Sequence, residues 1–142
     1  MEMDYQLWKD KGKRELDPLL FSEKADVFAR KIANEGKEIK DKQIKQAKNK
    51  SSQVRRYFDE VIRLNTIAKD CTDDEELKYR VLPQLHMLIS KVAYARGRGL
   101  ITSSFENMIK NGIKQVKDRE DLQVFTNFLE AFIGFYKGYV PK

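Results

Sequence analysis

Apolar residues recur along most of the chain at spacings of three and four, the period of an amphipathic helix, and few runs alternate as a half-buried strand would. Over residues 22–34, Ala25, Phe28, Ala29 and Ile32 fall on one face, with Gly36 as a stop. That face is narrow, so the helix is expected at the periphery. A second helix opens at Ser51 or Ser52, whose hydroxyl suits an N-cap, carries Val54, Phe58, Val61, Ile62, Leu64 and Ile67, and ends near Asp70. Thr72-Asp73-Asp74-Glu75 reads as a capping box opening a third helix with the stripe Leu77, Val81, Leu85, Leu88 and Val92. Pro83 lies inside that stripe and should kink or split it, because it removes a backbone donor. Gly97 and Gly99 end it. Ser103-Ser104-Phe105-Glu106 is a second capping box for a helix bearing Phe105, Met108, Ile109, Ile113 and Val116, which Gly112 weakens by about 1 kcal/mol relative to Ala. Asp118 then caps a fifth helix whose Leu122, Phe125, Phe128, Leu129, Phe132, Ile133, Phe135 and Tyr136 cover more than one face, marking it as central.

Two stretches escape this pattern. Residues 1–21 mix Trp8 with Lys9, Lys11, Lys13, Arg14 and Gly12, and read as a loose basic arm leading to Asp17-Pro18. Residues 37–50 carry Lys37, Lys40, Lys42, Lys45, Lys48 and Lys50 against Glu38 and Asp41, with Ile39, Ile44 and Ala47 as the apolar points. They are expected to form an exposed connector, partly helical or mobile. The expectation is therefore an all-α protein, a single bundle of about five helices, with one helical domain over residues 22–142.

Composition narrows the function classes. In 142 residues, 41% are hydrophobic and 35% charged, and 8 Phe, 6 Tyr and 1 Trp are too many aromatics for a disordered chain. Lys and Arg exceed Asp and Glu by 28 to 22, and the resulting charge of +6 favours an anionic partner such as nucleic acid. Cys71 is the sole cysteine, so no intrachain disulfide can form, which fits a reducing cytoplasm. No apolar run is long enough to span a membrane and no membrane partner is expected.

A search for catalytic groupings finds none. His86 stands alone beside an apolar stripe, where a structural or half-buried imidazole outweighs a general base. Cys71 sits in an acidic stretch that disfavours the thiolate. Pairs such as Asp59 with Arg63 and Glu76 with Arg80 have the four-residue spacing of surface helix pairs. No phosphate-loop, metalloprotease or calcium-loop motif is present, so no enzyme activity, metal or cofactor is expected. The cations remain. By helical phase, Arg55, Arg56 and Arg63 point away from the Val54/Phe58/Val61 face, and Arg80, Gln84, Lys91, Tyr94 and Arg98 form one strip on the next helix. Two such strips could track a phosphate backbone, or be a solvated face balanced by Asp59, Glu60, Glu75 and Glu76. Tyr57, Tyr94 and Tyr136 could stack on bases, although the edge of the core is the preferred reading.

Three segments, Ser51-Ser52-Gln53-Val54-Arg55-Arg56-Tyr57-Phe58, Ala93-Tyr94-Ala95-Arg96-Gly97-Arg98 and Phe128-Leu129-Glu130-Ala131-Phe132-Ile133-Gly134-Phe135-Tyr136-Lys137, resemble in order and spacing the signature segments of the Csm-type small subunit family of type III-A CRISPR interference complexes. The resemblance covers residue 51 onward. Gly134, Phe135 and the Lys-rich connector depart from it. It implies a helical bundle without a nuclease of its own, present in several copies along guide RNA and target RNA, beside the other subunits of the effector complex and touching further copies of itself. Such a subunit must serve guides of any sequence, so phosphates and 2′-hydroxyls are the expected contacts. Arg55, Gly97-Arg98 and Lys137 fall at matching positions. The expected RNA contacts are Arg55, Arg56, Lys91, Arg98 and Lys137, with Lys45, Lys48 and Lys50 as auxiliaries. Glu130 is expected in an internal ion pair or hydrogen bond, and Phe135 and Tyr139 in subunit packing. The alternatives are a helical protein-protein scaffold without RNA contact, a DNA-binding helix-turn-helix over residues 88–116 with Thr102, Ser103 and Ser104 at its reading end, and a helical enzyme using His86.

Overall fold

In the computed structural model, which describes residues 4–141, a π-helical turn (Leu20–Lys24) runs straight into helix α1 (Ala25–Glu35). An antiparallel hairpin of β1 (Lys37–Lys40) and β2 (Gln43–Gln46) follows, then α2 (Ser51–Lys69) and the single turn α3 (Asp74–Glu76). A second π-helical turn (Leu77–Val81) leads into α4 (Leu82–Gly97), and α5 (Ser103–Gln115) and α6 (Arg119–Tyr139) complete the chain. The fold is all-α apart from the hairpin.

Helix α6 is the axis of the core. Asp118 caps it by accepting from the Asp121 amide at 2.9 Å, and Glu120 and Asp121 in its first turn complement the helix dipole. Leu122, Phe125, Phe128, Leu129, Phe132 and Tyr136 are all buried, and Val124 and Ile133 widen that apolar face, while Glu120, Glu130, Gly134 and Lys137 mark the side that meets water. Helix α1 packs directly on it and is not peripheral as its narrow stripe suggested. Ala29 and Ala33 let its backbone approach closely, and Phe28 and Ile32 are buried beside them.

The N-terminal arm is not loose. Tyr5 and Leu7 are core residues, and the Tyr5 ring stacks on Phe128 with centroids 4.4 Å apart while meeting Phe28 edge-on at 5.2 Å. Gln115 fastens the arm's backbone, accepting from the Leu7 amide at 2.8 Å and donating to the Tyr5 carbonyl at 2.9 Å. The Trp8 indole donates to buried Asp121 at 2.8 Å, and the Lys11 ammonium bridges Asp121 and Asp118. Gly112 is required under this arm: a Cβ there would collide with the Phe125 ring and the Tyr5 hydroxyl.

The Lys-rich connector is neither helical nor shapeless. Ile39 lies opposite Ile44 and Lys40 opposite Gln43, and the two-residue turn between them places Asp41 (φ 53°) and Lys42 (φ 65°) in the left-handed region. Two left-handed residues make the primed turn whose twist suits a hairpin, but such turns usually announce themselves by Asn-Gly. Gly36 closes the base, its carbonyl accepting from the Ala47 and Lys48 amides.

Pro83 divides the third predicted helix. It stands in the first turn of α4, directly after the π-helical turn, whose Leu77 carbonyl accepts from the Leu82 amide, so the helix widens just ahead of the proline that lacks an N–H to donate. The cap of α3 lies one residue later than the sequence pattern suggests: the Asp73 carboxylate accepts from the Glu76 amide, and the Glu76 carboxylate reaches back to the Thr72 amide and hydroxyl. The second expected capping box does not form. Thr102 is the N-cap of α5 without a side-chain cap bond, and Glu106 turns to Arg96.

Candidate nucleic-acid interface

Helices α2 and α4 run antiparallel along one side of the bundle, and the groove between them gathers much of the expected site. From α2, Gln53, Arg56, Tyr57 and Glu60 recur at three and four residues; from α4, Leu88, Lys91, Tyr94 and Ala95 do the same, continued by Arg98 at its C-cap. Leu88, Ala95 and Tyr57 are buried and form the floor. Arg56, Lys91 and Arg98 stand exposed on the rim of a groove of about 560 Å3. Tyr94 is 67% exposed, with the Arg98 guanidinium 5.7 Å from its ring centroid. The Gln53 side-chain oxygen is buried at this groove without a hydrogen-bond partner among the described residues.

One end of the groove is fixed by Arg63. Its guanidinium makes two hydrogen bonds to Glu60, at 2.6 and 3.1 Å, and a third across to Gln84 of α4 at 3.0 Å. The Arg63 hydrogen bonds hold the Glu60 carboxyl below the usual carboxylate range despite its partial burial, with Lys91 adding to the effect. Arg63, read from sequence as part of a basic strip, thus ties the two helices together. Arg80 is likewise engaged, with Glu76 at 3.1 Å.

Of the eight expected contacts, Arg56, Lys91 and Arg98 share the groove. Arg55 is exposed on α2 but does not line it. Lys137 is exposed on the last turns of α6, which Tyr136 holds beside Asn49 and hence at the same end of the bundle as Lys48 and Lys50. Lys45 lies on β2, opposite Glu38. None of the eight forms an ion pair among the described residues.

Tyr57 and Tyr136 are core residues, as the preferred reading had it, with burial pushing both phenols above their ordinary range, whereas Tyr94 departs from that reading and is exposed. Glu130 is exposed and makes no ion pair or hydrogen bond of its side chain among the described residues. Tyr139 is taken by its own chain, donating to Asp26 and accepting from Arg30 at 3.2 Å; Phe135 is 37% exposed. His86 is exposed, and Cys71 is buried with its thiol near the Ile67 carbonyl. At the start of α5, Ser104 bonds to Glu35 and Phe105 is buried, which leaves little of a helix-turn-helix reading end. A second basic row went unread in the sequence: Lys110, Lys114 and Lys117 line a broader depression against the N-terminal arm, where Lys11 is already spent on Asp118 and Asp121. Their spacing of four and three was the available signal. No helix among the described residues is long and apolar enough to cross a membrane.

Three cations and an exposed ring thus meet at one helical groove. The family model Csm2 Type III-A matches residues 23–142. The chain belongs to this family. Membership implies a small subunit of a type III-A CRISPR complex, associated with that complex's other subunits. The match begins within the π-helical turn before α1 and therefore includes the hairpin and every groove residue. No curated protein and no solved structure matches the chain.

Proposed function

We propose that this protein is a non-catalytic small subunit of a cytoplasmic type III-A effector ribonucleoprotein in antiviral defence. It packs in several copies along guide RNA and target RNA and contacts the RNA backbone independently of sequence. The observation that carries this reading is the groove: Arg56 on its α2 wall and Lys91 and Arg98 on its α4 wall, none in an ion pair among the described residues, with Tyr94 exposed among them. Cations of this kind neutralise phosphates, and an exposed tyrosine offers a face to any base, so neither element selects sequence. Specificity is left to base pairing between guide and target. An isolated His86 and a covered Cys71 support the non-catalytic part.

The test is RNA binding titrated in salt, with the chain alone and then with its partner subunits. Three phosphate contacts on a single strand give a slope of log K on log salt of only about −2, so the isolated chain binds weakly. Partner subunits should tighten binding through avidity. Joint reversal of Arg56, Lys91 and Arg98 to Glu should abolish RNA protection by the assembled complex. Protection that survives those reversals overturns the reading and leaves a protein scaffold.

A further inference from the structure

The groove leaves unexplained an exposed apolar pair on the hairpin, Ile39 and Ile44, 79% and 61% exposed. Directly opposed residues of a ribbon share one face with their Cβ atoms about 5 Å apart, so the two side chains form a single aliphatic patch about as wide as a base ring. Alternation fixes what else stands on that face. Lys37 and Gln46, the next pair toward the stem, share it, whereas Lys40 and Lys45 lie on the reverse, Lys45 across from Glu38. Lys42 occupies the turn beyond the patch. The patch thus lies between two cations, on a strand face that carries no carboxylate. Neither cation makes an ion pair among the described residues, and Lys37 donates to the neutral Asn34 side chain at 3.2 Å.

The ribbon is firmly mounted, and its stem borders the groove. The Gln46 side-chain amide donates to the Ala33 and Lys48 carbonyls at 2.8 and 2.9 Å, and the Gly36 carbonyl accepts from Ala47 and Lys48. The amide of Asn49 then donates to the Leu100 carbonyl at 3.0 Å, and Leu100 lines the Arg98 end of the groove with Gln53, away from the Arg63 tie. We propose that the Ile39/Ile44 face is a stacking platform for one unpaired nucleobase of RNA leaving the groove, with Lys37 and Lys42 on its flanking phosphates. This inference rests on the RNA reading above and deepens it. A nucleotide in a strand offers an apolar ring face between two phosphates, the same order as cation, aliphatic patch and cation along the ribbon. Aliphatic side chains lodge against bases in this way and interrupt their stacking. A purely apolar protein surface would instead strip water from Lys37 and Lys42 without replacing it. Every base has a ring face, so the platform adds no sequence preference.

The test is the fluorescence of a short single-stranded RNA carrying one 2-aminopurine, walked along its length, and saturated with the full chain at low salt. The emission of this base rises when it leaves its stack, and wild type should raise it severalfold. Ile39→Thr with Ile44→Thr, which keeps two β-branched side chains in the ribbon, should lose most of the rise at saturation, with the salt dependence of binding unchanged because no cation is lost. Lys37→Gln and Lys42→Gln should each make that dependence shallower by about 0.7. Tyr94→Ala at saturation should keep the rise. Circular dichroism and melting temperature check that each variant is folded. RNA bound without a rise, a rise that survives the double threonine variant, or one lost with Tyr94→Ala instead overturns the platform and spares the small-subunit reading. A double threonine variant that keeps its rise but no longer joins the partner subunits makes the hairpin a protein contact and overturns the platform. Wild type that binds no RNA, alone or with its partner subunits, overturns the RNA reading and the platform with it.

Discussion

The phenol of Tyr136, near the end of α6, donates its hydrogen bond to the main-chain carbonyl of Asn49, 87 residues earlier. Asn49 is fully buried in the left-handed region at φ 56°. Its side chain donates to the Ile32 carbonyl and the Thr102 hydroxyl and accepts from the Thr102 amide, each at 2.9 Å. One residue thus ties α1, the turn before α5 and the end of α6 to the entrance of α2, and so fixes where the α2 side of the groove begins. Tyr136→Phe removes the phenolic donor and leaves a buried carbonyl unsatisfied, an expected loss of about 1–3 kcal/mol. Urea unfolding measures it, and an unchanged midpoint would show that the bond contributes nothing net.

Gly112→Ala reverses the usual rule for helices. Alanine gains about 1 kcal/mol over glycine in an open helix interior. Here the added methyl meets the Phe125 ring and the Tyr5 hydroxyl, both buried, and the Tyr5 ring is itself stacked on Phe128. Overpacking of this kind costs about 1–3 kcal/mol, so the variant should be less stable than the wild type, with Tyr5 displaced. A higher melting temperature would mean that the arm yields freely.

The arm should also release in acid. Burial alone would raise the Asp118 carboxyl, but the Lys11 hydrogen bond and the amide of Asp121 outweigh it and hold the group below its usual range. A carboxyl lowered by folding stabilises above its unfolded pKa, about 3.9, and loses that contribution as pH falls through the folded value. For Lys11 burial acts downward, and its bonds to Asp118 and Asp121 raise it overall, so its share is present below an unfolded pKa of about 10.4 and is lost above the folded value. The clamp therefore holds between about pH 4 and pH 10. Trp8 is the only tryptophan and lies in this clamp, so its emission should shift to the red below about pH 4. Asp118→Asn should weaken the arm at neutral pH by about 1 kcal/mol, a modest figure because solvent screens half-exposed Lys11.

What the sequence disclosed was what repeats. Phe125, Phe128, Leu129, Phe132 and Tyr136 recur on the helical period, so the central helix and its role were legible, as were the α2 and α4 strips that bring Arg56, Lys91 and Arg98 together. The arm was illegible because Tyr5, Leu7 and Trp8 are too few to set a period, and their bonds go to Gln115 and Asp121, more than a hundred residues away. The hairpin was hidden by its turn, because Asp41-Lys42 adopts a conformation that neither residue advertises. Periodicity also says which way a charge points but not what it meets. Arg63 and Arg56 share a phase, yet Glu60 and Gln84 consume Arg63, and no ion pair among the described residues consumes Arg56.

The same distinction separates two arginines only two positions apart. Arg96 turns to α5 and pairs with Glu106 at 2.5 Å, a carboxylate whose side chain is only 15% exposed, whereas Arg98 faces the groove beside Tyr94. Arg96→Ala strands a largely covered carboxylate, which should cost about 1–2 kcal/mol of stability and leave RNA affinity unchanged. Arg98→Ala removes no such bond, so stability should stay within about 0.5 kcal/mol. Its RNA affinity should fall, and the salt dependence should become shallower by about 0.7 for the lost phosphate contact. Thermal unfolding and salt-titrated RNA binding on the two variants read both effects. The opposite pattern, with Arg96 governing affinity and Arg98 silent, would move the RNA from the α2–α4 groove to the α4–α5 side of the bundle.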